Sequence, residues 1–332
     1  MELAYLQLPL VFFTAAAPMA SGAFIGLAIA FITTRFSADE LKRIDRWTLL
    51  PLVILAVSFV AALLFFFAPQ SALLTLQGVN SGALAFSVIM GLLFMVAAVV
   101  YWAMSLTGRI EVGTRRVYVT FLAVLAVVFS VAIGVAYQLS EVSTWASIVV
   151  PFGFAGFSLV GGVPLGMLVV ALAHALPAAR STRFGSAALI TAFIGAVVAI
   201  FSVTVQLMNA QATASALFPG AEFVSGAWVY LIVAIVGFVA VLACMRGSLG
   251  GGSRSSAPLG STAGASAMPW SSVDAAAASP AAKGTVTSDV EARYQAQAAA
   301  DDTKAVPYLF LGNVAVLIAL VAARVLFYAL QI

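Results

Sequence analysis

Eight apolar stretches, each 20 residues or longer, dominate this chain: 8–34, 47–68, 82–105, 117–138, 148–176, 186–209, 226–245 and 306–332. A helix needs about 20 apolar residues to cross the hydrocarbon layer of a bilayer. In lipid, every backbone N–H and C=O must be paired internally, so only helices or a closed barrel can span. Barrel strands alternate apolar and polar residues, whereas these runs are continuous. The expected fold is all-α, a polytopic membrane bundle of eight transmembrane helices. The composition agrees: only 8% of the 332 residues are charged, where soluble domains carry about 25%. So few charges could not cover a water-soluble surface of this size.

The charges also orient the bundle. Fourteen of the 15 Lys and Arg residues lie in the segments after the first, third, fifth and seventh runs, among them Arg35, Lys42, Arg43, Arg46, Arg109, Arg115, Arg116, Arg180 and Arg183. The other loops and both termini carry only acids, Glu2, Glu141 and Glu222. The positive-inside rule then puts the basic loops in the cytoplasm and both termini outside it. The stretch Ala15–Ala20 resembles a signal-peptide cleavage region. Glu2 and the lack of a basic residue ahead of it, with an apolar run that continues beyond it, favour a retained first helix. Residues 247–304 are rich in Gly, Ser, Ala and Pro, and such a segment cannot bury enough apolar surface to become ordered. The expected division is 1–246 for spans one to seven, 247–304 as a flexible cytoplasmic linker, and 305–332 for span eight. A short helix from Ser288, capped with Glu291, is compatible with the pattern. No internal repeat stands out in the letters. The fifth run, with Pro151, Gly161, Gly162 and Pro164, is expected to bend or break.

What is missing narrows the chemistry. Cys244 is the single cysteine and His174 the single histidine. An intrachain disulfide, a thiolate-held iron–sulfur cluster and bis-histidine haem ligation are therefore excluded, and no metal site is expected. The spans contain no carboxylates, which argues against a proton- or cation-coupled transporter. The basic residues are spread over loops, so nucleic acid is not an expected partner. Gly22/Gly26 and Gly162/Gly166 form GxxxG pairs, read first as close helix packing. His174, near a helix end, reads as a solvated residue. Arg324 is the only charge inside a span, and Tyr328 follows one turn later. Gln7, Thr14, Asn80, Ser87, Tyr137, Gln138, Gln206, Asn209 and Glu222 form a polar belt at the same, outer end of the spans. Any bound polar head group is expected there.

Several stretches resemble one family in order. They are Leu8–Pro9–Leu10–Val11–Phe12–Phe13–Thr14 with Ser21–Gly22–Ala23–Phe24, Asn80–Ser81–Gly82–Ala83–Leu84, and Thr144–Trp145 leading through Pro151, Gly153 and Phe154 to Gly161–Gly162, Leu165 and Gly166. Arg324 with Phe327–Tyr328 completes the set. Together they resemble the DmsC family, the membrane-anchor subunits of anaerobic dimethyl sulfoxide reductase, over the whole sequence except 247–304. The resemblance implies a multi-pass protein of a prokaryotic cytoplasmic membrane with two partners, an iron–sulfur electron-transfer subunit and a molybdopterin catalytic subunit. It implies transient menaquinol binding and electron transfer to the partner's clusters, with no haem, iron–sulfur cluster or molybdenum in this protein. The anchor itself would not act on the terminal substrate.

This sequence departs from the family where quinol chemistry is expected. The family's histidine near the end of the second span falls at Phe65, and its acidic residue near the start of the third falls at Ser87. Neither replacement accepts a proton near neutral pH. Three readings follow: a quinol-oxidising anchor, a purely structural anchor without a redox step, and a small-molecule transporter. The expected quinol-binding residues are Thr14, Asn80, Ser87, Tyr137, Arg324 and Tyr328. With no haem wire in the protein, a quinol site must lie near the partner's closest cluster. With the polar belt at the outer ends, the partners implied by the resemblance are expected on the outer face, exported already folded.

Overall fold

The structure, a computed structural model, describes residues 7–67, 81–108, 110–139, 145–217, 226–249 and 281–330. Among the described residues every regular element is a helix: α1 (Leu8–Thr33), α2 (Ala38–Trp47), α3 (Leu49–Phe67), α4 (Ser81–Leu106), α5 (Val112–Gln138), α6 (Val149–Leu172), α7 (Leu176–Arg180), α8 (Phe184–Leu217), α9 (Ala227–Leu249) and α10 (Ala281–Ala329). Eight of these are long and apolar enough to cross a membrane, with the last span covering Lys304–Ala329 of α10. The eight-span reading holds, with edges moved by a few residues. α10 begins at Ala281, so Ser288 and Glu291 lie within it rather than at its start. Residues 250–280 of the expected linker lie outside the described residues.

Two helices that hydropathy passed over follow the central spans. α2 opens on a capping box, in which the Glu40 backbone N–H donates to Ser37 Oγ (3.3 Å) and the Ser37 N–H donates to the Glu40 carboxylate (2.7 Å). It is too charged to span, but it buries Leu41, Ile44 and Asp45. α7 is a five-residue turn after α6. Between α6 and α7 stands His174, exposed, with φ 53°. The Ala175 N–H donates to Val170 O and the His174 N–H to Ala171 O. That pattern closes a helix with a left-handed residue, so the backbone of His174 terminates α6.

Helices α1 and α6 form the centre. In each, 83% of the most apolar window is buried within the protein, against 28% for α4 and α9. The two run parallel and touch along the paired glycines. A Cβ at Gly22 would lie 2.0 Å from Ser158 O, one at Gly162 would lie 2.2 Å from the Gly22 carbonyl carbon, and one at Gly166 would lie 2.4 Å from Ala23 O. No side chain fits there, so the glycines serve close backbone approach. α6 continues as one helix through Gly161, Gly162 and Pro164. The expected break is absent, because a broken turn between α1 and α8 would leave backbone groups unpaired in a dry interior. Asn313 of α10 donates to Pro164 O at 3.2 Å and ties α10 to this segment.

The remaining spans fall into two groups of like construction. α1 packs on α3 and α5, and α4 packs on α5; α6 packs on α8 and α10, and α9 packs on α10. Each group thus runs long helix, short helix, then three spans. The repeat that the letters hide is present in the architecture. The glycine pairs sit at matching places in α1 and α6. Tyr137 and Tyr328 are each the penultimate residue of the last span in their group.

Candidate functional site

The end of the bundle formed by the start of α1, the end of α5, the start of α6 and the end of α10 gathers the polar groups. Arg324 lies there, 2% exposed. Its Nε donates to Thr14 Oγ1 at 3.2 Å. Thr14 in turn donates to its own helix, to Leu10 O (2.9 Å) and Val11 O (3.1 Å), so its oxygen is held facing the guanidinium. The Tyr137 and Tyr328 hydroxyls hydrogen-bond to each other across the two groups. Four of the six expected residues, Thr14, Tyr137, Arg324 and Tyr328, therefore meet in one cluster.

Aromatic rings enclose it. The guanidinium carbon lies 3.8 Å from the Phe327 centroid and 4.2 Å from that of Phe154, with Tyr328 at 5.4 Å, Tyr137 at 5.7 Å and Phe157 at 5.9 Å. Trp145 stacks on Phe327 (4.9 Å, 4°) and donates its indole N–H to Phe327 O at 3.1 Å. Tyr137 stacks on Phe154 (5.9 Å, 7°). Placing an arginine at mid-membrane costs about 2.5–3.5 kcal/mol on insertion scales. A desolvated cation–π contact returns about 2 kcal/mol. Two close ring faces are therefore enough to offset the burial without a carboxylate. One donor stays over: Arg324 Nη2 is buried and has no hydrogen-bond partner. A buried unpaired donor on a charged group is a standing cost unless something else accepts from it.

Sequence reasoning missed the ring cage as a site, although Trp145 and Phe154 stood in the stretches that carried the family resemblance. Phe327 and Tyr328 follow Arg324 by three and four positions, the spacing that puts side chains on one helix face. That was the available signal. The other expected positions stand apart. Ser87 is buried on α4, which packs chiefly on α5, α2 and α3. Phe65, near the end of α3, is 1% exposed. Asn80 and Glu222 lie outside the described residues. Of the rest of the belt, Gln206 is buried and donates to Ser202 Oγ (2.8 Å), while Asn209 is exposed.

The opposite, basic end holds a second buried arginine. Arg115 Nη2 lies 2.6 Å from Asp45 Oδ2, and the Tyr101 hydroxyl donates to Asp45 Oδ1 at 3.3 Å. This cluster pins α2 against α4 and α5. No group of three or more metal-ligating side chains is found among the described residues.

Comparisons with known proteins bear on these features. The pattern of the DMSO reductase anchor subunit (DmsC) family matches residues 1–249. That stretch carries Thr14 and Tyr137, while Arg324 and Tyr328 lie beyond it. The C subunit of anaerobic dimethyl sulfoxide reductase from Escherichia coli is 28% identical over 166 residues, 50% of this protein and 58% of that one. The corresponding C subunit from Haemophilus influenzae is 24% identical over 159 residues, 48% of this protein and 57% of that one. The matched stretch thus spans little more than half the length of these curated relatives. No solved structure matches it.

Proposed function

The protein belongs to the DMSO reductase anchor subunit family, DmsC, and from that membership we propose that it holds a molybdopterin catalytic subunit and an iron–sulfur subunit on the cytoplasmic membrane and binds menaquinol for them. Menaquinol supplies two electrons and two protons when oxidised to menaquinone. The observation that carries the reading is the unpartnered Nη2 of Arg324, buried in a cage of stacked rings.

The residues present fit such a ligand. A quinone oxygen could accept from Arg324 Nη2, and the Tyr137–Tyr328 hydroxyl pair offers both a donor and an acceptor to a quinol hydroxyl. Phe154, Phe327 and Trp145, packed on one another's neighbours and on the guanidinium, would border the ligand's rings as an apolar wall. Thr14 holds the guanidinium in place through Nε and leaves the outer edge of the fork for the ligand. Electrons would pass directly to the partner's nearest cluster, so the partners dock on the Arg324 end. By the charge rule that end, with both termini, is extracytoplasmic. Spans one to seven, residues 1–246, would form the anchor proper, with 247–304 as the linker to span eight.

The purely structural anchor keeps one specific observation on its side. Phe65 stands where the resemblance expects a histidine and is packed away, 1% exposed. One experiment separates the two readings. The protein is expressed with its neighbouring oxidoreductase subunits and purified, and a short-chain naphthoquinol is titrated. Quinol binding predicts that Arg324→Ala, Tyr137→Phe and Asn80→Ala each weaken the analogue by about tenfold, one lost charge-assisted or buried hydrogen bond. Binding that none of the three alters, with the partners still attached, leaves the structural anchor. Failure to retain any iron–sulfur subunit sinks both.

A further inference from the structure

At the basic end, between α1, α2 and α5, lies a cavity of about 260 Å³ whose lining includes Phe31, Leu41, Val112, Arg35, Arg115 and Arg116. A single water needs only about 30 Å³, so a larger group fits. We propose that this cavity binds the phosphate of an anionic membrane lipid.

Three arginines converge on one small space, and the charge around it is unbalanced. Arg115 is neutralised by Asp45, but its Nε is buried without a hydrogen-bond partner while the residue is 5% exposed. Arg116 donates its Nε to Phe31 O at 2.8 Å, which occupies one C-terminal carbonyl of α1 and lessens the repulsion that helix end would exert on an anion. Arg35 is exposed at the rim. The first amides of α5, from Val112 onward, add the partial positive charge of a helix start. Of the nearby acids, Asp39 is exposed and does not line the cavity, and three others are committed or turned elsewhere. Asp45 is paired, Glu40 accepts from the Ser37 backbone, and Glu111 lines a separate depression with Met104 and Thr114. Planar guanidinium forks suit phosphate oxygens.

The surroundings favour a lipid over a free anion. Ile32, next to Phe31, is 55% exposed, and Val117, next to Arg116, is 70% exposed. From Val117 an apolar stripe continues through Phe121, Val124 and Val128, all exposed. An acyl tail can follow that stripe into the bilayer while its phosphate stays among the arginines, as basic pockets at membrane surfaces do for anionic lipids.

The test uses the purified, delipidated full-length protein in detergent. Phosphatidylglycerol, phosphatidylcholine with the same acyl tails, and inorganic phosphate are titrated, with bound lipid read by native mass spectrometry. One phosphatidylglycerol is expected per protein molecule, bound about tenfold tighter than phosphatidylcholine, as expected when a net-positive arginine cluster selects a net-negative headgroup. Arg35→Ala and Arg116→Ala should each weaken it about fivefold, while Lys42→Ala and Arg43→Ala on the same face stay within about twofold. Arg115→Ala is avoided because it strands Asp45. If Arg116→Ala fails to fold, Arg35→Ala decides alone, since that side chain is exposed. Equal affinity for the two lipids, binding untouched by Arg35→Ala, or inorganic phosphate binding where the lipid does not, overturns the proposal.

Discussion

The two ends of this bundle each bury an arginine, and they do so by opposite means. At the basic end Arg115 meets a carboxylate, Asp45, and a tyrosine hydroxyl shares the load. At the other end Arg324 meets no acid among the described residues, only ring faces, a threonine oxygen and two tyrosines. The first arrangement balances charge inside the protein, with Arg115 Nε still unpartnered. The second balances solvation but not charge, and it leaves a donor open. Both arginines keep an open donor, so what the contrast isolates is the counter-charge: Arg115 has one inside the protein, and Arg324 has none among the described residues.

Substitutions can break or sharpen that contrast. Asp45→Ala should have the largest effect, because removing one partner of a buried pair strands the other, at about 3–5 kcal/mol. Thermal unfolding in detergent measures it, and a change under about 1 kcal/mol would show that water reaches Arg115 freely. Gly162→Ala comes next. Its Cβ would be forced against Gly22, and overpacking of this kind costs about 1–3 kcal/mol. Because α1 holds Arg324 through Thr14 at one end and lines the basic cavity with Phe31 at the other, this variant should also weaken ligand binding at either end. Tyr137→Phe removes one hydrogen-bond partner of the Tyr328 hydroxyl and should cost about 1 kcal/mol. Arg324→Met is the sharpest test despite the smallest expected shift. A long apolar side chain can fill the ring cage, so stability should stay within about 1 kcal/mol while naphthoquinol binding falls. A large loss of stability would instead class Arg324 with Arg115, as a structural charge.

The spans were legible because lipid demands continuous apolar runs, and each of the eight could be read from its own residues. The glycine seam was legible too, since GxxxG carries a local signature. α2 and α7 were not, because hydropathy looks for spans, and the first is rich in charge while the second is only five residues long. α2 did announce itself in another way, through Ser37 and Glu40 three residues apart. Of the candidate site, Arg324, Tyr328, Tyr137 and Thr14 stood out as polar residues in apolar runs. Their convergence is a tertiary fact, since Thr14 and Arg324 are 310 positions apart. Ser87 stood in the polar belt and at the family's acidic position, yet its helix packs in another neighbourhood. Residue type revealed which groups were unusual, but only packing showed which of them were neighbours.

The doubled construction of the bundle has a consequence for its chemistry. If the last spans of the two groups are matched at their penultimate tyrosines, Tyr137 and Tyr328, the counterpart of Arg324 is Ile133, itself buried at 3% exposure. If α1 and α6 are matched at Gly22 and Gly162, the counterpart of Thr14 is Phe154. The hydroxyl that orients the guanidinium and the ring that covers it thus occupy the same place in two copies of one plan. A scaffold written twice could have carried a cation in each copy, with two buried charges to shelter. Giving one copy the charge and the other an aliphatic side chain leaves one buried charge and gives a near-symmetric frame a single directional centre.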